Sequence, residues 1–593
     1  MKLPNLVAAL LTVAALAVAC SPGADPTVAD ASPRHTLLYS VADNERVPDT
    51  LPEGEVPPPS GMGPGRSFWV AAGRRGEYRE VTTTLVGHTD TFRVWAQDST
   101  SVSPNLMLRA AREADTALQA GLLATLAERA LMVRPDLFPI DLVYAELSAM
   151  GGYFSSADQP GDRQHPYSNN ASAIYVSLSS CSTNGGCSAA LIQHEVQHLL
   201  QYAVDPEEET WFNEGLSKLA EGAEAPAPLA CTDFELFGWS SEPAVSGLHY
   251  RSAASFLTLV RDTLGPEALL EVAVDPQPGR QALSAYLGYH ATGLTLDDLF
   301  LQWSVAQVAP TLISSDGDSA EPASCPNLCR HELRSGATIS DTVSQYGCDV
   351  VLIPGDWEGQ LEFGGAATAD LVPEFPPNSS LVWWSGNDSI GNATLTAAID
   401  LRHLEEPWLR YWVWHDIEEY YDWAYVGISS KQGATWEWLR APGMTTKDPF
   451  GNSPGVGYTG ASEEWRQEEV DLRQYAGREV LVRFGYLTDD AIEATGFAVN
   501  RVEVVEAKTG VVQPYLRWQR DGFRPLSLWA PQPQSIAALA LDAADPSRYR
   551  SLPLEQGNSG SWALNGQSTA AVMICGLTAG ALPTAYELRG IQP

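Results

Sequence analysis

The pattern of apolar and polar positions changes character along the chain. Short alternating runs between residues 67 and 98 predict β-strands. Apolar spacing of three and four residues predicts helix over 104–133, most clearly within "TALQAGLLATLAERALMV". A mixed helix and strand region continues to about Val308, and beyond Ser340 short aromatic and β-branched runs alternate with Gly, Pro and Asn turns. These patterns predict a multidomain protein in which an α+β domain is followed by all-β sandwiches.

Composition divides the 593 residues further, and a chain of this length is too long for one hydrophobic core. Stretches such as "LPEGEVPPPSGMGPG" and "SSDGDSAEPASCPN" are typical of a tether and a linker. The predicted segments are a leader over 1–19, a tether over 20–65, a β-rich segment over 66–120, an α+β domain over 121–313, a linker over 314–335, a β-sandwich over 336–506 and a small β domain over 507–593.

The N-terminus, "MKLPNLVAALLTVAALAVAC", predicts an exported protein. One lysine precedes an apolar run from Leu6 to Val18, which is typical of a secretory signal and too short for a stable membrane-spanning helix. "LAVAC" resembles the bacterial lipobox, and this resemblance implies cleavage before Cys20 and membrane attachment only through a lipid on that cysteine. "AVA" is also an ordinary cleavage site, so plain secretion stays open.

Charge and cysteine content narrow the possible partners. The chain carries 36 Lys and Arg against 73 Asp and Glu, a formal net charge of −37. A surface this acidic repels phosphate backbones, so nucleic acid is not an expected partner. Cys181 and Cys187 flank a tight turn and are expected to form a disulfide in an exported chain. Cys325, Cys329 and Cys348 are near neighbours that could supply a second disulfide. The alternative is a zinc site made of cysteines, but the sequence contains no C-x-x-C pair.

The stretch "LIQHEVQHLLQY", residues 191–202, carries the main chemical signal. On a helix, His194 and His198 lie one turn apart on the same face and can both point at one ion. Glu195 lies about 100° around the helix, where it is poorly placed as a ligand but can reach a water on that ion. The alternative is an amphipathic helix with surface histidines, so a third ligand decides between the two.

A glutamate from a following helix can supply the third ligand. Gln201 and Val204 occupy the positions where metzincins place Gly and a third His, so that pattern fails. In "TWFNEGLSKLAEG", residues 210–222, Glu214 lies on a second predicted helix, and the chain is long enough to turn and pack alongside the first. Residues 207–209 are glutamates too, but their place at a helix start favours an interaction with the helix dipole.

"HEVQH" followed by "WFNEGLSKLAEG" resembles the gluzincin metallopeptidases. Between residues 66 and 310, other stretches resemble the hyicolysin-type peptidases in order and spacing: "GGYFSSADQ", "SNNASAIYV", "HYRSAASFLTLVRDTLG" and "LDDLFLQWSVAQVA". The resemblance implies a zincin-like catalytic domain in which His194, His198 and Glu214 bind Zn²⁺.

The same resemblance implies the roles of further residues. A water activated by zinc would attack the peptide carbonyl with Glu195 as general base, and a Tyr or His would stabilise the oxyanion. His249 and Tyr250 are both candidates for this last role, and the choice between them stays open. Lys218 stands where some gluzincins place an acidic residue that steadies a histidine, and Glu221, on the same helix face as Glu214, is the expected substitute.

Three stretches in the C-terminal half, "YYDWAYVGISSKQGATWEWL", "EEWRQEEVDLRQYAGREVLVRFGYLTD" and "GFAVNRVEV", resemble the jelly-roll module of immune inhibitor A metallopeptidases. Asn500 stands where such modules carry Asp, which is a departure from a cation site. Residues 314–327 resemble a calcium loop in outline, so Ca²⁺ is a second candidate metal, although their acidic positions are too few for an EF-hand.

Two classes of function follow from these signals. The first is an exported zinc endopeptidase acting on protein or peptide substrates, with an aminopeptidase as a minor variant. The second is a catalytically inactive surface lipoprotein whose β-sandwiches bind protein or carbohydrate. The strand "SAIYV", residues 172–176, either pairs with an extended substrate or lies inside the sheet. No oligomeric state is predicted.

Overall fold

The computed structural model describes most of the chain beyond the tether. The described residues are 65–71, 78–147, 151–159, 167–181, 186–206, 208–222, 234–239, 243–313, 330–372, 375–376, 379–387, 392–448, 453–462, 464–488, 494–513, 516–527 and 531–592. The leader, nearly all of the tether and residues 314–327 lie outside them, as do Cys20, Cys231, Cys325 and Cys329. None of the helices in these ranges has the length and apolar content needed to cross a membrane.

A six-stranded sheet organises the N-terminal half. Its strands are β1 (Gly65–Ala71), β2 (Tyr78–His88), β3 (Phe92–Gln97), β4 (Ile140–Ala145), β5 (Gly152–Phe154) and β6 (Ala173–Ser177). They lie in the order β1-β2-β3-β4-β6-β5, with β3, β4 and β6 parallel and β5 antiparallel to β6 at one edge. Strands β4 and β6 are buried along their whole length, as is typical of central strands covered on both faces.

This sheet decides between the two interpretations of "SAIYV". The stretch forms β6, which pairs with β4 on one side and β5 on the other. Its backbone groups are therefore already used within the sheet, and it is an interior strand. The edge position belongs to β5, residues Gly152–Phe154.

The described residues of this half form eight α-helices, of which α1 and α3 contact the sheet directly. They are α1 (Pro104–Ala117), α2 (Gly121–Val133), α3 (Ala189–Val204), α4 (Thr210–Ala220), α5 (Pro243–Leu264), α6 (Pro266–Ala273), α7 (Gly279–Tyr289) and α8 (Leu296–Ile313). The single helix predicted over 104–133 is thus two helices. Gly121, at the start of the second, has a φ of +67°, a left-handed conformation that glycine adopts without steric cost.

The predicted boundary between residues 120 and 121 does not separate two folding units. Strands β1, β2 and β3 precede it, yet they continue the same sheet as β4, β6 and β5. Side chains from before and after it also share one buried core, including Met107, Leu126 and Leu199. Periodicity predicted these elements, but their partners lie far apart in sequence, and only the folded chain shows which elements pair.

The described residues of the C-terminal half form 22 further strands. They are β7 (Arg330–Glu332), β8 (Thr338–Val343), β9 (Cys348–Leu352), β10 (Glu358–Gly365), β11 (Thr368–Ala369), β12 (Leu381–Trp384), β13 (Asn392–Asp400), β14 (Pro407–Asp416), β15 (Trp423–Ser429), β16 (Glu437–Leu439), β17 (Arg466–Asp471), β18 (Glu479–Leu487), β19 (Gly496–Glu506), β20 (Gly510–Gln513), β21 (Trp518–Asp521), β22 (Arg524–Ser527), β23 (Gln532–Pro533), β24 (Ile536–Asp542), β25 (Tyr549–Leu552), β26 (Ser559–Asn565), β27 (Thr569–Gly576) and β28 (Thr584–Ile591).

Twenty of these strands form two β-sandwiches, one inserted into the other, and β11 and β23 pair with each other in a separate two-stranded sheet. The outer sandwich consists of the sheets β26-β10-β28-β8 and β25-β24-β27-β9-β7. The inserted sandwich consists of β17-β14-β19-β12-β22, with β20 paired to β19, and β16-β15-β18-β13-β21. A buried cluster that includes Tyr411, Val482 and Phe497 fills the space between the two inserted sheets.

The structure therefore corrects the predicted division into a sandwich over 336–506 and a separate domain over 507–593. Strands β8, β9 and β10 belong with β24–β28, whereas β21 and β22 belong to the inserted sandwich although they follow residue 507. Alternating patterns predict strands, but strand pairing depends on hydrogen-bond register across long stretches of chain.

Two disulfides lie within the described residues. Cys181 and Cys187 are bridged, as expected from the sequence. Cys348 is bonded to Cys575, which faces it across the β9–β27 pair, rather than to Cys325 or Cys329. The sequence favoured near neighbours, and the bridge instead joins residues 227 positions apart that antiparallel pairing brings together.

Asp141 is the charged centre of the N-terminal sheet. It is 0% exposed, and its carboxylate accepts hydrogen bonds from Arg66 Nη1 at 2.7 Å, Arg93 Nε at 2.6 Å and Trp95 Nε1 at 2.9 Å. These contacts tie β1 and β3 to β4, the strand that lies next to β6.

The variant Asp141→Asn should destabilise the sheet by about 3 kcal/mol, because removing one partner of a buried ion pair leaves the other charge uncompensated. Native-state hydrogen exchange at the amides of β4 measures the loss. The matched control is Asp471→Asn, which breaks an exposed pair with Arg473 and should leave β4 exchange unchanged. Equal exchange in wild type and Asp141→Asn would contradict the role of this carboxylate.

Candidate metal centre

Helix α3 carries both motif histidines on one face. Ser188 caps the helix, and its side chain accepts a hydrogen bond from the Leu191 N–H at 3.2 Å. His194 and His198 lie one turn apart, and their ring centroids are 4.8 Å from each other. The other side of the helix is anchored by fully buried apolar residues: Ile192, Val196, Leu199 and Leu200.

Helix α4 carries Glu214 and packs closely on α5. The glycine after this residue, Gly215, lies at the contact between the two helices. A Cβ added to Gly215 would lie 2.7 Å from Leu257 Cδ1 and 3.2 Å from the backbone carbon of Ala253. Any larger side chain would push α4 away from α5, which gives a physical reason for the glycine in "NEG".

Three potential ligand atoms meet between α3 and α4. Glu214 Oε2 lies 3.2 Å from His194 Nε2 and 3.3 Å from His198 Nε2. Ligands bound to a single zinc ion at about 2.0–2.1 Å in tetrahedral geometry stand about 3.3 Å apart. The observed separations match this value. In the part of the chain that the structure describes, no other set of three His, Cys, Asp or Glu side chains converges in this way.

The chemistry of these atoms also suits a cation. Glu214 Oε2 is buried and accepts no hydrogen bond of ordinary geometry, which is a costly arrangement for a carboxylate oxygen. The other oxygen, Oε1, accepts a hydrogen bond from the Tyr250 hydroxyl at 3.2 Å. Two imidazoles and one carboxylate are a common ligand set of catalytic Zn²⁺, so the residues fit that ion.

Negative charge surrounds the two imidazoles. Burial would lower the pKa of His194, but contacts with Glu214 and Glu221 outweigh it and raise this pKa to about 10. For His198, too, burial is outweighed by Glu214, and its pKa is raised. Burial acts to raise the pKa of Glu214, yet both imidazoles hold it well below its usual range. The site therefore favours positive charge, which a divalent cation would supply with both imidazoles neutral.

Each imidazole is oriented by a contact at its second nitrogen. His194 Nδ1 lies 2.9 Å from Glu221 Oε1, and His198 Nδ1 lies 3.1 Å from Asn213 Oδ1. Acceptors at Nδ1 favour the tautomer whose Nε2 lone pair is available to a metal. Lys218 Nζ contacts both oxygens of Glu221 at 2.7 Å and holds this carboxylate in place. The sequence predicted Glu221 for this position but missed Asn213, whose only signal is its place directly before Glu214.

Glu195 lies beside the edge strand of the sheet. A Cβ added to Gly152 of β5 would lie 2.9 Å from Glu195 Oε1 and 2.8 Å from the Tyr175 carbonyl oxygen. Glycine at this position therefore leaves room for the carboxylate. Burial raises the pKa of Glu195, although both neighbouring imidazoles act in the opposite direction.

The two candidates for oxyanion stabilisation have different surroundings. The Tyr250 hydroxyl reaches Glu214, and its ring centroid lies 6.1 Å from that of His194. His249 is buried against the rings of Phe234 and Trp239, and its Nδ1 makes no hydrogen bond within the described residues. Burial lowers the pKa of His249 to about 4. The structure brings Tyr250, and not His249, into contact with the three-residue cluster.

The glutamates considered as alternative ligands serve another helix. Glu208 Oε1 accepts a hydrogen bond from the Gly279 N–H at 2.8 Å, and Glu209 pairs with Arg280 at 2.6 Å. They thus bind the start of α7, whose N-terminus favours negative charge. Residue 207 lies outside the described residues.

The structure does not support the Ca²⁺ expectation. Asn500 lies on β19, where its side-chain amide donates to the Leu381 carbonyl, and no metal-ligand cluster forms around it among the described residues. An amide used in this way bridges two neighbouring strands. Residues 314–327, the calcium-like stretch, lie outside the described ranges.

Comparison with known proteins finds a match for most of the inserted sandwich. Residues 370–512 match the family model of the immune inhibitor A-like MAM domain, which agrees with the resemblance found in the sequence. Bacillopeptidase F of Bacillus subtilis (strain 168) is 26% identical over 179 residues, which cover 28% of this chain and 11% of that protein. Pre-pro-metalloprotease PrtV of Vibrio cholerae serotype O1 (strain M66-2) is 34% identical over 98 residues, 16% of this chain and 10% of that protein. The chain thus spans about a tenth of the length of these relatives.

The variant Glu221→Gln should weaken Zn²⁺ binding roughly 10- to 100-fold, because the neutral amide orients and polarises His194 less well than the carboxylate does. Competition with a chromogenic chelator measures the affinity. The matched control is Glu113→Gln, a glutamate of α1 that is 59% exposed and pairs only with Arg109 among the described contacts. If the two variants bound Zn²⁺ equally well, the contact between Glu221 and His194 would have no role in metal binding.

Proposed function

We propose that the chain is a zinc-dependent endopeptidase with a zincin-like catalytic domain, in which His194, His198 and Glu214 hold the ion. The observation that carries this proposal is the convergence of two Nε2 atoms and one carboxylate oxygen at 3.2 and 3.3 Å, with Glu195 adjacent on the same helix. Further support for a peptidase comes from two relatives, a bacillopeptidase and a metalloprotease, which match short stretches of the chain.

Each residue then has a defined task. Zinc held by His194, His198 and Glu214 would lower the pKa of a water molecule and would polarise the carbonyl group of the substrate. Glu195 accepts a proton from the attacking water and passes it to the leaving amine, a role that suits a carboxylate whose pKa is raised by burial. Tyr250 is the proposed hydrogen-bond donor to the developing oxyanion, since its hydroxyl already lies against the ligand Glu214.

The substrate backbone is proposed to pair with β5. This strand is the sheet edge, and Gly152 lies directly against Glu195. An extended peptide can pair with this edge through backbone hydrogen bonds. Because these bonds need no particular side chain, they contribute affinity for substrates of different sequences. Such pairing would hold the scissile bond next to the general base.

Export is part of the proposal. The leader-like N-terminus supports it, and so do the two disulfides at Cys181–Cys187 and Cys348–Cys575, since such bonds persist in oxidising compartments. A lipid on Cys20 would tether the enzyme to the cell envelope.

The variant Glu195→Gln should retain Zn²⁺ and lose peptide hydrolysis by at least about a hundredfold, because the amide cannot accept the proton. Hydrolysis of a quenched fluorescent peptide and metal content of the purified protein are the two measurements, and a chelator should abolish wild-type activity.

An endopeptidase should cleave peptides with blocked amino termini at the same rate as peptides with free amino termini, whereas an aminopeptidase should cleave only the free ones. Absence of hydrolysis by the zinc-loaded wild type would favour the inactive binding lipoprotein instead.

The variant Gly152→Ala should lower kcat/KM about a hundredfold, because the new methyl group displaces the Glu195 carboxylate by up to about 1 Å. The Zn²⁺ affinity should stay unchanged. The matched control is Gly151→Ala, whose added Cβ would meet only Leu191 side-chain atoms, at 3.5 and 3.7 Å. Steady-state kinetics compares the two variants. Similar activity in both would show that Gly152 is not needed to make room for Glu195.

A further inference from the structure

Tyr346 links the outer sandwich to the α/β part of the molecule. Its N–H donates to the Gly576 carbonyl at 2.8 Å, next to the β9–β27 pair. Its hydroxyl donates to Asp297 Oδ1 of α8 at 3.0 Å. The residue is 6% exposed and has a φ of +44°, a backbone conformation that bulky residues rarely adopt. Surrounding contacts must therefore hold it in this position.

The same residue holds the segment of residues 234–239. The Tyr346 ring centroid lies 4.6 Å from that of Phe237, and the Leu236 N–H donates to the Tyr346 carbonyl at 3.0 Å. Both the side chain and the backbone of Tyr346 thus bind this segment. All three residues belong to one buried core that continues from the helices into the outer sandwich.

Phe237 in turn contacts α4, which carries Glu214, and α5, which carries Tyr250. Its ring centroid lies 4.7 Å from that of Trp211 on α4 and 5.6 Å from that of Phe256 on α5. Trp211 is three residues before the ligand Glu214, so it stands one helical turn away.

A second contact from the segment reaches Tyr250. Trp239 packs edge-on against the Tyr250 ring at 4.9 Å between centroids. The Tyr250 hydroxyl contacts Glu214. The segment is therefore linked to Glu214 in two ways. Phe237 contacts Trp211 on the helix that carries Glu214, and Trp239 contacts Tyr250, whose hydroxyl hydrogen-bonds to Glu214.

We propose that Tyr346 is a positioning residue for the metal centre, although it belongs to the outer sandwich. It fixes the 234–239 segment, which sets the separation of α4 and α5 and thereby the place of Glu214 opposite the histidines. The sandwich is then a required part of the catalytic half and not an independent appendage. This inference rests on the proposed metal centre.

Co²⁺ is the probe, because its visible absorption reports the geometry of its ligands as well as its affinity. In the full chain, Tyr346→Leu should weaken Co²⁺ binding about tenfold or more, as expected for loss of a ligand-supporting contact, and should alter the absorption spectrum. Tyr346→Phe keeps the ring and should restore both values close to wild type. Phe237 lies on the other side of the same contact, so Phe237→Leu should reproduce the effect of Tyr346→Leu. If Tyr346→Leu does not fold, Phe237→Leu serves as the test of the proposal.

The matched control is Tyr411→Leu in the inserted sandwich. Tyr411 is fully buried, and its hydroxyl pairs with that of Tyr458, so the substitution removes a similar side chain from a buried cluster that is separate from the α/β core. It should lower thermal stability and leave Co²⁺ affinity and spectrum unchanged. Folded Tyr346→Leu and Phe237→Leu proteins with wild-type affinity and spectrum would overturn this inference alone. A wild-type chain that bound no Co²⁺ would overturn the metal centre together with it.

Discussion

The contact between the Glu214 carboxylate and two imidazoles is the interaction on which the proposed chemistry depends. An acidic oxygen that is buried without a hydrogen-bond donor is costly, and here it faces two nitrogens at distances suited to a shared ion. Nearly everything around it contributes to that placement. Gly215 sets how near α4 lies to α5, Glu221 and Asn213 orient the imidazoles, and Lys218 holds Glu221.

Close packing, and not flexible adjustment, controls this geometry. Two glycines lie where a methyl group would meet atoms at 2.7–2.9 Å: Gly215 against Leu257 and Gly152 against Glu195. Behind the ligand helix, Trp211, Phe237, Phe256 and Tyr346 form a continuous aromatic layer. Cores packed at this density transmit small displacements, which is the physical basis for proposing that distant residues affect the position of Glu214. The outer sandwich takes part in this layer through Tyr346.

The inserted sandwich has a different relation to the site. Its residues up to 512 match the immune inhibitor A-like MAM domain, and its own buried core is separate from the core behind the candidate metal centre. The chain enters it after β10 and leaves it before β24, so the outer sandwich forms only when both flanking segments have met.

Local patterns in the sequence were sufficient for the elements and for most of the candidate site. Helix spacing predicted that His194 and His198 share a face, and the second helix with Glu214 was expected from its start signal and apolar spacing. Glu221 was expected as a partner of a histidine, because residues seven apart lie on one helix face. Asn213 and Gly152 were not found, since their roles depend on which element lies opposite them.

The sequence by itself determined the properties that depend on residues close together along the chain. These are the type of each element, the helix face that carries H-E-x-x-H, the Cys181–Cys187 bridge and the jelly-roll resemblance. Only the tertiary structure decided the partners across long chain separations. These are the edge position of β5, the pairing of β8–β10 with β24–β28, the Cys348–Cys575 bond and the contact of Tyr346 with Phe237. The physical reason is that local periodicity specifies which face of an element is apolar, whereas the choice among many apolar partners is made by shape and register when the whole chain packs.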